Sequence, residues 1–399
     1  MNKSLQKNPY SRSLMMIASL FFLFGFITCM NDVLVPHLKQ LFTLSYSEAI
    51  LVQFAFFSSY FVFSIPSSKF CEQKGYQSGL FTGLAITSLG AFGFLGSASF
   101  HSFPLFLCSF FVLAAGITLI QVAANPYVTL LGPPETASSR LTLVQAFNSL
   151  GTTLAPLVGS YFILSNQSVN SVQIPYLVIA LSLIGLAIFV SVVNFPSFNS
   201  NASADVPWSE LFSNRKLMLG TAGIFAYVGA EVAVGSFLIN YLGTERVLSL
   251  APDVAGRYVS FYWGGAMVGR FLVTPLLARY RPSTILQIFA TFALSLVILS
   301  VLSSGAFAMG AILCVGFFNS IMFPTIFSQS IEGLKRGTEK ASGLLCMAIV
   351  GGAVVPLTQG FLADSYELRW SFILPVICYA YIWFFASYLR GHSRLKGNS

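Results

Sequence analysis

This 399-residue chain has few charged residues: aspartate, glutamate, lysine and arginine together make up only 9% of it. An ordinary soluble globular domain carries about 25%. Hydrophobic residues make up 55% of the chain, including 40 phenylalanines, and the mean hydropathy is +0.77. This composition excludes a soluble globular protein, and we expect the chain to cross a lipid bilayer many times.

Histidine and closely spaced cysteine are also scarce. The three histidines, His37, His101 and His392, fall at the ends of spans, in loops or in the C-terminal tail. The six cysteines are scattered along the apolar runs without a CxxC pair. This pattern indicates neither a disulfide framework nor a metal cluster, and we expect no organic cofactor. A membrane enzyme would need nucleophilic or metal-binding groups, so we expect the chain not to be an enzyme.

Apolar runs of about 20 residues, each long enough to cross a bilayer, are abundant. Twelve can be traced, at about 13–38, 47–69, 77–99, 103–131, 139–164, 172–195, 215–243, 254–279, 283–303, 306–332, 339–362 and 369–390. The first could be a signal peptide, but no small-residue cleavage site follows it and Asp32 does not fit an apolar signal core, so we expect a retained helix. The predicted fold is all-α, with twelve transmembrane helices.

Lysine and arginine are distributed unevenly between the two sides that twelve spans define. With the N-terminus inside, 16 of the 21 basic residues fall in inner segments. Lys39, Arg246, Arg257 and Arg369 fall in outer loops, and Arg270 lies within a span. The positive-inside rule then predicts that both termini are cytoplasmic. The net charge of +8 faces anionic lipid, without any need for a nucleic-acid partner.

One extended polar stretch, residues 196–214, separates six spans from six. We therefore predict an N-terminal six-helix bundle (1–195), a cytoplasmic connecting loop and a C-terminal six-helix bundle (215–399). Weak internal symmetry supports duplicated halves, because Gly151 recurs 200 residues later as Gly351. Transporters built from such repeats carry their site near the bilayer midplane, between the repeats.

The first span contains a carboxylate. Asn31 and Asp32 stand side by side in FFLFGFITCMNDVLVP, residues 21–36. A carboxylate inside a membrane costs at least ~2.5–3.5 kcal/mol, so such groups face a protein interior or a water-filled cavity. Asp32 either belongs to a solute or ion pathway, which we favour, or reaches the interface near Lys39, about 10 Å further along the helix.

Five amides lie at depth in other spans. They are Gln121 and Asn125 in the fourth span, Gln145 and Asn148 in the fifth, and Asn319 in the tenth. Gln145 and Asn148 are three residues apart and therefore share one face of a helix. Amides both donate and accept hydrogen bonds, which suits a neutral polyhydroxylated ligand. The alternative is that each amide only links helices, but their concentration in the first-half spans favours a binding site.

The second half contributes another acid and a base at depth. Glu231 lies in the middle of the seventh span, and Arg270 lies deep in the eighth. A structural ion pair between adjacent helices would account for both residues. Tyr262 and Trp263 offer a stacking surface for a sugar ring, or else they anchor their span at the interface.

Several strings resemble the fucose permease family of the major facilitator superfamily, and in particular its bacterial glucose/galactose transporter branch. They are NDVLVPHL (31–38), QVAANPYVTLLG (121–132), LVQAFNSLGTTLAP (143–156), YVGAEVAVGSFL (227–238), YWGGAMVGRF (262–271), GFFNSIMFPTIFS (316–328) and MAIVGGAVVPLTQG (347–360). The resemblance covers nearly the whole chain. It implies a monomeric transporter of the bacterial inner membrane, with a central cavity that opens alternately inward and outward. It also matches the family's functional aspartate to Asp32 and its polar cavity residues to Gln121, Gln145 and Asn148.

Two positions depart from the proton-coupled fucose permease, which has a glutamate in place of Gln121 and a glutamine in place of Glu231. An amide cannot take up and release a proton, and the glucose/galactose branch, in which sodium coupling is reported, is similar to this chain at both positions. We expect import of a neutral hexose coupled to a cation, Na⁺ rather than H⁺, bound near Asp32 with Gln121 or Glu231 as a further ligand. The alternatives are a proton-coupled symporter of fucose or another sugar, and a sugar or drug exporter.

Overall fold

The chain is all-helical in the computed structural model, which describes residues 11–42, 46–159, 172–193, 196, 206–334 and 336–397. Side chains are described within these ranges except at 11–12, 31–41, 46–53, 156–159, 252–253 and 392–397. The helices are α1 (Ser11–Leu41), α2 (Tyr46–Ser99), α3 (Phe103–Leu130), α4 (Ala137–Gly159), α5 (Gln173–Val192), α6 (Trp208–Ser213), α7 (Arg215–Leu242), α8 (Pro252–Arg279), α9 (Pro282–Leu302), α10 (Gly305–Asn319), α11 (Met322–Ile331), α12 (Thr338–Met347), α13 (Gly351–Ser365), α14 (Leu368–Ser371) and α15 (Ile373–Gly397).

Within the described ranges these helices make the twelve membrane passes that the sequence predicted. α2 contains two of them, because its Gly75 has a φ of +82° and a ψ of 166°, a conformation that glycine adopts without strain. The sequence predicted a loop between residues 69 and 77, but both helices extend to this one glycine. One pass each is formed by α10 with α11, by α12 with α13, and by α14 with α15.

Two passes are less apolar than the others. Nine stretches of the described chain are long and apolar enough to span a bilayer, and one of them, Phe54–Ser99, holds the two passes of α2. The long helices α4 and α8 are not among the nine, and polar side chains interrupt them at Gln145, Asn148 and Arg270. These two helices pack against each other, and Arg270 of α8 donates to the Ser149 hydroxyl of α4 between them.

A tight helix pair in the first half has a counterpart with the same close contact in the second half. In the first half, a Cβ added to Gly151 of α4 would lie 2.1 Å from the Phe22 carbonyl oxygen of α1. In the second half, a Cβ added to Gly351 of α13 would lie 2.2 Å from the Phe225 carbonyl oxygen of α7. Only glycine permits such close backbone approach. The repeat seen in the sequence is therefore a repeat of packing, and the predicted pseudo-symmetry is confirmed.

The first half (α1–α5) and the second half (α7–α15) are joined by direct hydrogen bonds at one end of the molecule. This closed end is where α3 connects to α4 and α11 connects to α12. The hydroxyls of Ser138 and Ser328 are 2.7 Å apart there, and Ser139 donates to the Thr274 carbonyl oxygen at 2.8 Å. The closed end therefore joins α4 to α8 and to α11 by direct hydrogen bonds.

Residues 197–205 of the connecting loop predicted at 196–214 lie outside the described residues, and the bundle boundaries stay a prediction. Its described part includes α6, which begins directly after Pro207. Lys340 of α12 donates to the Val206 carbonyl oxygen at 2.8 Å, and its ammonium lies 5.7 Å from the centre of the Trp208 ring. The same ammonium lies 3.4 Å from a carboxylate oxygen of Glu72 in the first half. Lys340 therefore connects both halves and the connector at the closed end.

Candidate substrate site between the two halves

The polar face of α4 lies at the boundary between the halves. Gln145 is 7% exposed. Its side-chain amide makes no hydrogen bond with any described residue, and its polar atoms are not fully enclosed. Asn148, three residues further on, donates to the Phe21 carbonyl oxygen of α1 at 3.0 Å. The structure thus places these two predicted residues together, with Asn148 fixed against α1 and the Gln145 side chain without a hydrogen bond to the described residues.

A chain of neutral hydrogen bonds surrounds the predicted amides of α3. Gln121 donates to the Tyr60 hydroxyl at 2.9 Å, and its oxygen accepts from the Asn125 amide nitrogen at 3.3 Å. That nitrogen also lies 4.0 Å from the sulfur of Cys346 on α12, in the other half. Both polar atoms of the Gln121 side chain are therefore engaged. The Asn125 oxygen is buried without a hydrogen-bond partner among the described residues.

The acid and the base of the second half lie opposite α4. Arg270 of α8 is 9% exposed, and one of its terminal nitrogens lies 3.9 Å from a carboxylate oxygen of Glu231 on α7. The ion pair raised as an alternative from the sequence is therefore present. Its separation exceeds the ~2.7–2.9 Å of a close charge-assisted hydrogen bond. The closer contacts of the guanidinium are with the Ser320 carbonyl oxygen, at 3.1 Å, and with the Ser149 hydroxyl of α4.

Asn319 lies at the end of α10, where two tyrosines enclose it. Its amide nitrogen donates to the Tyr262 hydroxyl at 2.8 Å, and its oxygen accepts from the Tyr379 hydroxyl at 2.8 Å. Tyr262 in turn donates to the main-chain oxygen of Glu231 at 3.0 Å. Asn319 is fully buried, so in this conformation it links α8, α10 and α15.

Trp263 differs from the adjacent Tyr262 because its side chain is 43% exposed. It precedes Met267 by four residues and Arg270 by seven, a spacing that places the three on one face of α8. Met267 and Arg270 both contact α4, at Thr153 and Ser149. Trp263 therefore starts from the face of α8 that contacts α4, and its indole packs beside Gly235 of α7.

Asn31 and Asp32 lie on α1, but their side chains are outside the described ones, so their roles stay predictions. Among the described residues, no three His, Cys, Asp or Glu side chains come together to hold a metal ion. A Na⁺ ion at the predicted position would therefore rest on Asp32 and on neutral oxygens such as that of Gln121.

Sequence reasoning missed three contributors to this region: Tyr60, Ser149 and Ser320. Ser149 stands one helical turn after Gln145, so the helical neighbours of the amide were a usable signal. No comparable signal existed for the other two. Tyr60 meets Gln121 across 61 residues of sequence, and the Ser320 carbonyl is available to Arg270 because it falls in the break between α10 and α11.

Comparison with known proteins agrees with this architecture. The chain is 46% identical to a glucose/galactose transporter of Brucella abortus, over 96% of this chain and 95% of that protein. It is 42% identical to a putative glucose/galactose transporter of Helicobacter pylori, over 98% and 99% respectively. It is 32% identical to the L-fucose-proton symporter of Escherichia coli, over 96% and 94%. The sequence profile of the Major Facilitator Superfamily matches residues 16–347, and the chain belongs to that family.

The fold is also similar to a solved structure. The crystal structure of FucP, a Major Facilitator Superfamily transporter in the outward conformation, superposes with a TM-score of 0.89 at 32% identity, covering 95% of this chain and 99% of that one. The family resemblance drawn from the sequence is therefore confirmed. The chain is a multi-pass membrane transporter and not an enzyme.

Proposed function

We propose that this chain imports a neutral hexose of the glucose or galactose type across a bacterial inner membrane by alternating access. The observation that carries the proposal is the open amide of Gln145 beside Asn148, on a helix that faces the opposite half. Each amide can donate to one sugar hydroxyl and accept from another. The Brucella abortus and Helicobacter pylori relatives, both above 40% identity, are named as glucose/galactose transporters.

Alternating access is supported by the hydrogen bonds and the ion pair that join the halves at the closed end. If the basic segments face the cytoplasm, the closed end is the cytoplasmic end and the site communicates with the outside. The FucP structure that the chain resembles is likewise in an outward conformation. For a sugar to leave inward, the contacts of the closed end, including those of Ser138 with Ser328 and of Lys340 with Glu72, would have to break. The transporter is proposed to do this as a monomer.

The proposal includes coupling to a cation, with Na⁺ bound near Asp32 in preference to H⁺. Gln121 supports this choice because its amide, hydrogen-bonded to Tyr60 and Asn125, cannot titrate. A hard cation prefers oxygen ligands of the kind that a carboxylate and an amide provide. Glu231 is the alternative ligand, although its pairing with Arg270 leaves it less charge to offer. Proton coupling is the second candidate, and the name of the Escherichia coli relative, a proton symporter, favours it.

Uptake of labelled hexose into proteoliposomes tests the sugar and the ion separately. The purified protein would be reconstituted with an inward sodium gradient, a pH gradient, both or neither, at one membrane potential. We expect D-glucose or D-galactose to accumulate with the sodium gradient alone and to be recovered chemically unchanged. Accumulation that follows the pH gradient and ignores sodium would overturn the Na⁺ assignment. Absence of both uptake and exchange for every hexose would overturn the sugar assignment; protein-free liposomes and L-glucose are the controls.

The proposed orientation places both termini in the cytoplasm. In a variant whose six native cysteines are replaced, a new cysteine within 165–171 should react with a membrane-impermeant maleimide added to intact cells. A new cysteine within 199–205 should react only after the membrane is opened. Both segments lie outside the described residues, so the experiment depends on topology alone. The reverse labelling pattern would invert the proposed orientation.

A further inference from the structure

Arg270 joins the two halves at the level of the candidate site. Its guanidinium donates to the Ser320 carbonyl oxygen within its own half. It also crosses to α4, where it donates to the Ser149 hydroxyl and, at 3.4 Å, to the Gln145 main-chain oxygen. A buried charge is tolerated only when its hydrogen-bonding groups are occupied, and α4 supplies two of the partners here. The arginine therefore depends on α4 staying where it is.

Glu231 is held loosely as a consequence. The carboxylate reaches Arg270 only at 3.9 Å, and 14% of the side-chain surface remains exposed. The hydroxyl of Tyr227, one turn earlier on α7, is a further polar neighbour of this carboxylate. A carboxylate has about four acceptor positions, so several stay available. An acid at membrane depth with unfilled acceptor positions is expected to bind a donor.

Trp263 lies about one helical turn beyond Glu231, on the side away from the closed end. A Cβ added to Gly235, four residues after Glu231 on α7, would be 2.8 Å from the Cζ2 atom of the indole. The ring therefore packs over the turn of α7 that follows the carboxylate. Such an arrangement suits a sugar, because the apolar face of the pyranose ring can stack on the indole while its hydroxyls donate to the acid.

From this geometry we propose that Glu231 and Trp263 form a second sugar subsite, on the second half, and that Arg270 controls its availability. The inference rests on the proposed hexose transport. In the present conformation the Arg270 guanidinium donates hydrogen bonds to α4. The Glu231 carboxylate is then available to accept hydrogen bonds from sugar hydroxyls.

The control follows from the position of Arg270 next to the closed end. Thr274, one turn further along α8, accepts the hydrogen bond of Ser139 that the closed end must give up when it opens. As α4 moves away from α8, Arg270 loses Ser149 and the Gln145 main-chain oxygen, and the nearest charged acceptor left to it is Glu231. The Glu231 carboxylate then pairs with Arg270 and no longer accepts hydrogen bonds from the sugar. The sugar binds more weakly and leaves toward the opened side.

Equilibrium binding of tritiated D-galactose and D-glucose to the purified full-length protein tests the subsite. Glu231→Gln should lower the affinity at least about tenfold, because a hydrogen bond to a charged acceptor is lost. Trp263→Ala should lower it in the same direction. The matched control is Glu332→Gln, which removes a carboxylate paired with Lys216 at 3.4 Å, away from the site, and should leave the affinity unchanged.

Hexose analogues that each lack one hydroxyl show which hydroxyl of the sugar Glu231 binds. For the parent protein, the affinity for the analogue that lacks the hydroxyl bound by Glu231 should be about tenfold lower than the affinity for the complete hexose. For Glu231→Gln, the two affinities should be equal. If Glu231→Gln does not fold, Glu231→Asp repeats the test, because it keeps the charge and withdraws it by one methylene.

Ser149→Ala tests the control by Arg270. With its α4 partner removed, Arg270 should shift to Glu231 and reduce hexose affinity severalfold. In the Glu231→Gln background the same change should have no further effect, because no carboxylate is left to be taken. If Ser149 merely stabilised α4, the loss would be equal in both backgrounds, and that result would overturn the switch. If hexose binds the parent and Glu231→Gln equally, the subsite is wrong; if the parent binds no hexose, the proposed function itself fails.

Discussion

The two faces of the candidate site are built from different chemistry. The first half presents the neutral amides Gln145 and Asn148, and Asn148 is fixed by a bond within its own half. The second half presents the acid Glu231, the aromatic Trp263 and the base Arg270, whose hydrogen bonds reach into the first half. In the proposed mechanism the neutral face keeps its geometry when the halves move, whereas the charged face changes hydrogen-bond partners. Both halves contact the sugar in this mechanism, and only the second half exchanges hydrogen-bond partners when the halves move.

The cost of burial explains this division. A neutral amide without a partner costs far less than a charge without one, so the Gln145 side chain can remain open until a hydroxyl arrives. Arg270 cannot remain unpaired in the same way and has to exchange one acceptor for another. Arg270 lies on one face and the amides Gln145 and Asn148 lie on the other. A sugar can therefore bind to the amides while the charge of Arg270 stays paired.

The largest expected effect distinguishes the acids of the two halves. Inward movement of one charge gains ~2.3 kcal/mol per 100 mV, which is about fiftyfold in accumulation. Asp32→Asn should abolish this accumulation while exchange of labelled for unlabelled hexose continues, because the ion site is lost and the sugar site is kept. Uptake and exchange in proteoliposomes measure the two quantities.

Glu231→Gln is the matched comparison for this experiment. It removes one carboxylate from the opposite face, and it should weaken hexose binding while leaving uptake dependent on the ion gradient. If Glu231→Gln uncouples transport and Asp32→Asn does not, coupling belongs to the second half, and the division of roles between the faces is reversed.

A second, intermediate effect compares open with enclosed amides. Gln145→Ala and Asn148→Ala should each weaken hexose binding about tenfold, since a sugar hydroxyl that loses its partner costs ~1–3 kcal/mol. Asn319→Ala should instead lower thermal stability, with a smaller effect on affinity, because both polar atoms of this amide are bonded to Tyr262 and Tyr379. Calorimetric binding and thermal unfolding separate the two outcomes. If all three variants bind hexose with the affinity of the parent, these amides only connect helices and do not bind the sugar.

The fold was largely predictable from the sequence because a bilayer imposes a simple rule. Apolar length fixed the twelve passes, and the recurrence of Gly151 at Gly351 anticipated two helix pairs packed with the same close backbone contact. The breaks within passes were not predicted. The interruption of α10 and α11 at residues 320–321, and that of α12 and α13 at 348–350, leave hydropathy unchanged and therefore no signal in composition.

The candidate site was predictable in its residue types but not in its pairings. Gln145, Asn148, Glu231 and Arg270 stood out because polar groups at membrane depth are rare and usually functional. The sequence raised the pairing of Glu231 with Arg270, but not the shorter contacts of the arginine with α4. Contacts between residues more than 100 positions apart depend on how the halves dock, and one sequence does not contain that information.

The smallest expected effect concerns Arg140 and Lys340, two basic residues at the closed end. They are 200 positions apart and occupy equivalent positions in the two halves. Arg140 serves its own half: it donates to the main-chain oxygens of Val128 at 3.2 Å and Thr129 at 2.7 Å, at the end of α3. Lys340 serves the contact between the halves, through Glu72. Equivalent positions have therefore acquired different roles, in the same sense as the two faces of the site.

Replacing each of these residues by glutamine sharpens that comparison. Arg140→Gln should lower the melting temperature by a few degrees without changing the balance of conformations, because its contacts are made within one half. Lys340→Gln should shift the balance by about 1 kcal/mol, or roughly fivefold, toward opening of the closed end. A cysteine at Ser138, which is buried against Ser328, reports the opening through its rate of maleimide labelling in membranes with the native cysteines replaced. Faster labelling is expected with Lys340→Gln alone. Equal labelling in the two variants would show that Lys340, like Arg140, only stabilises the fold.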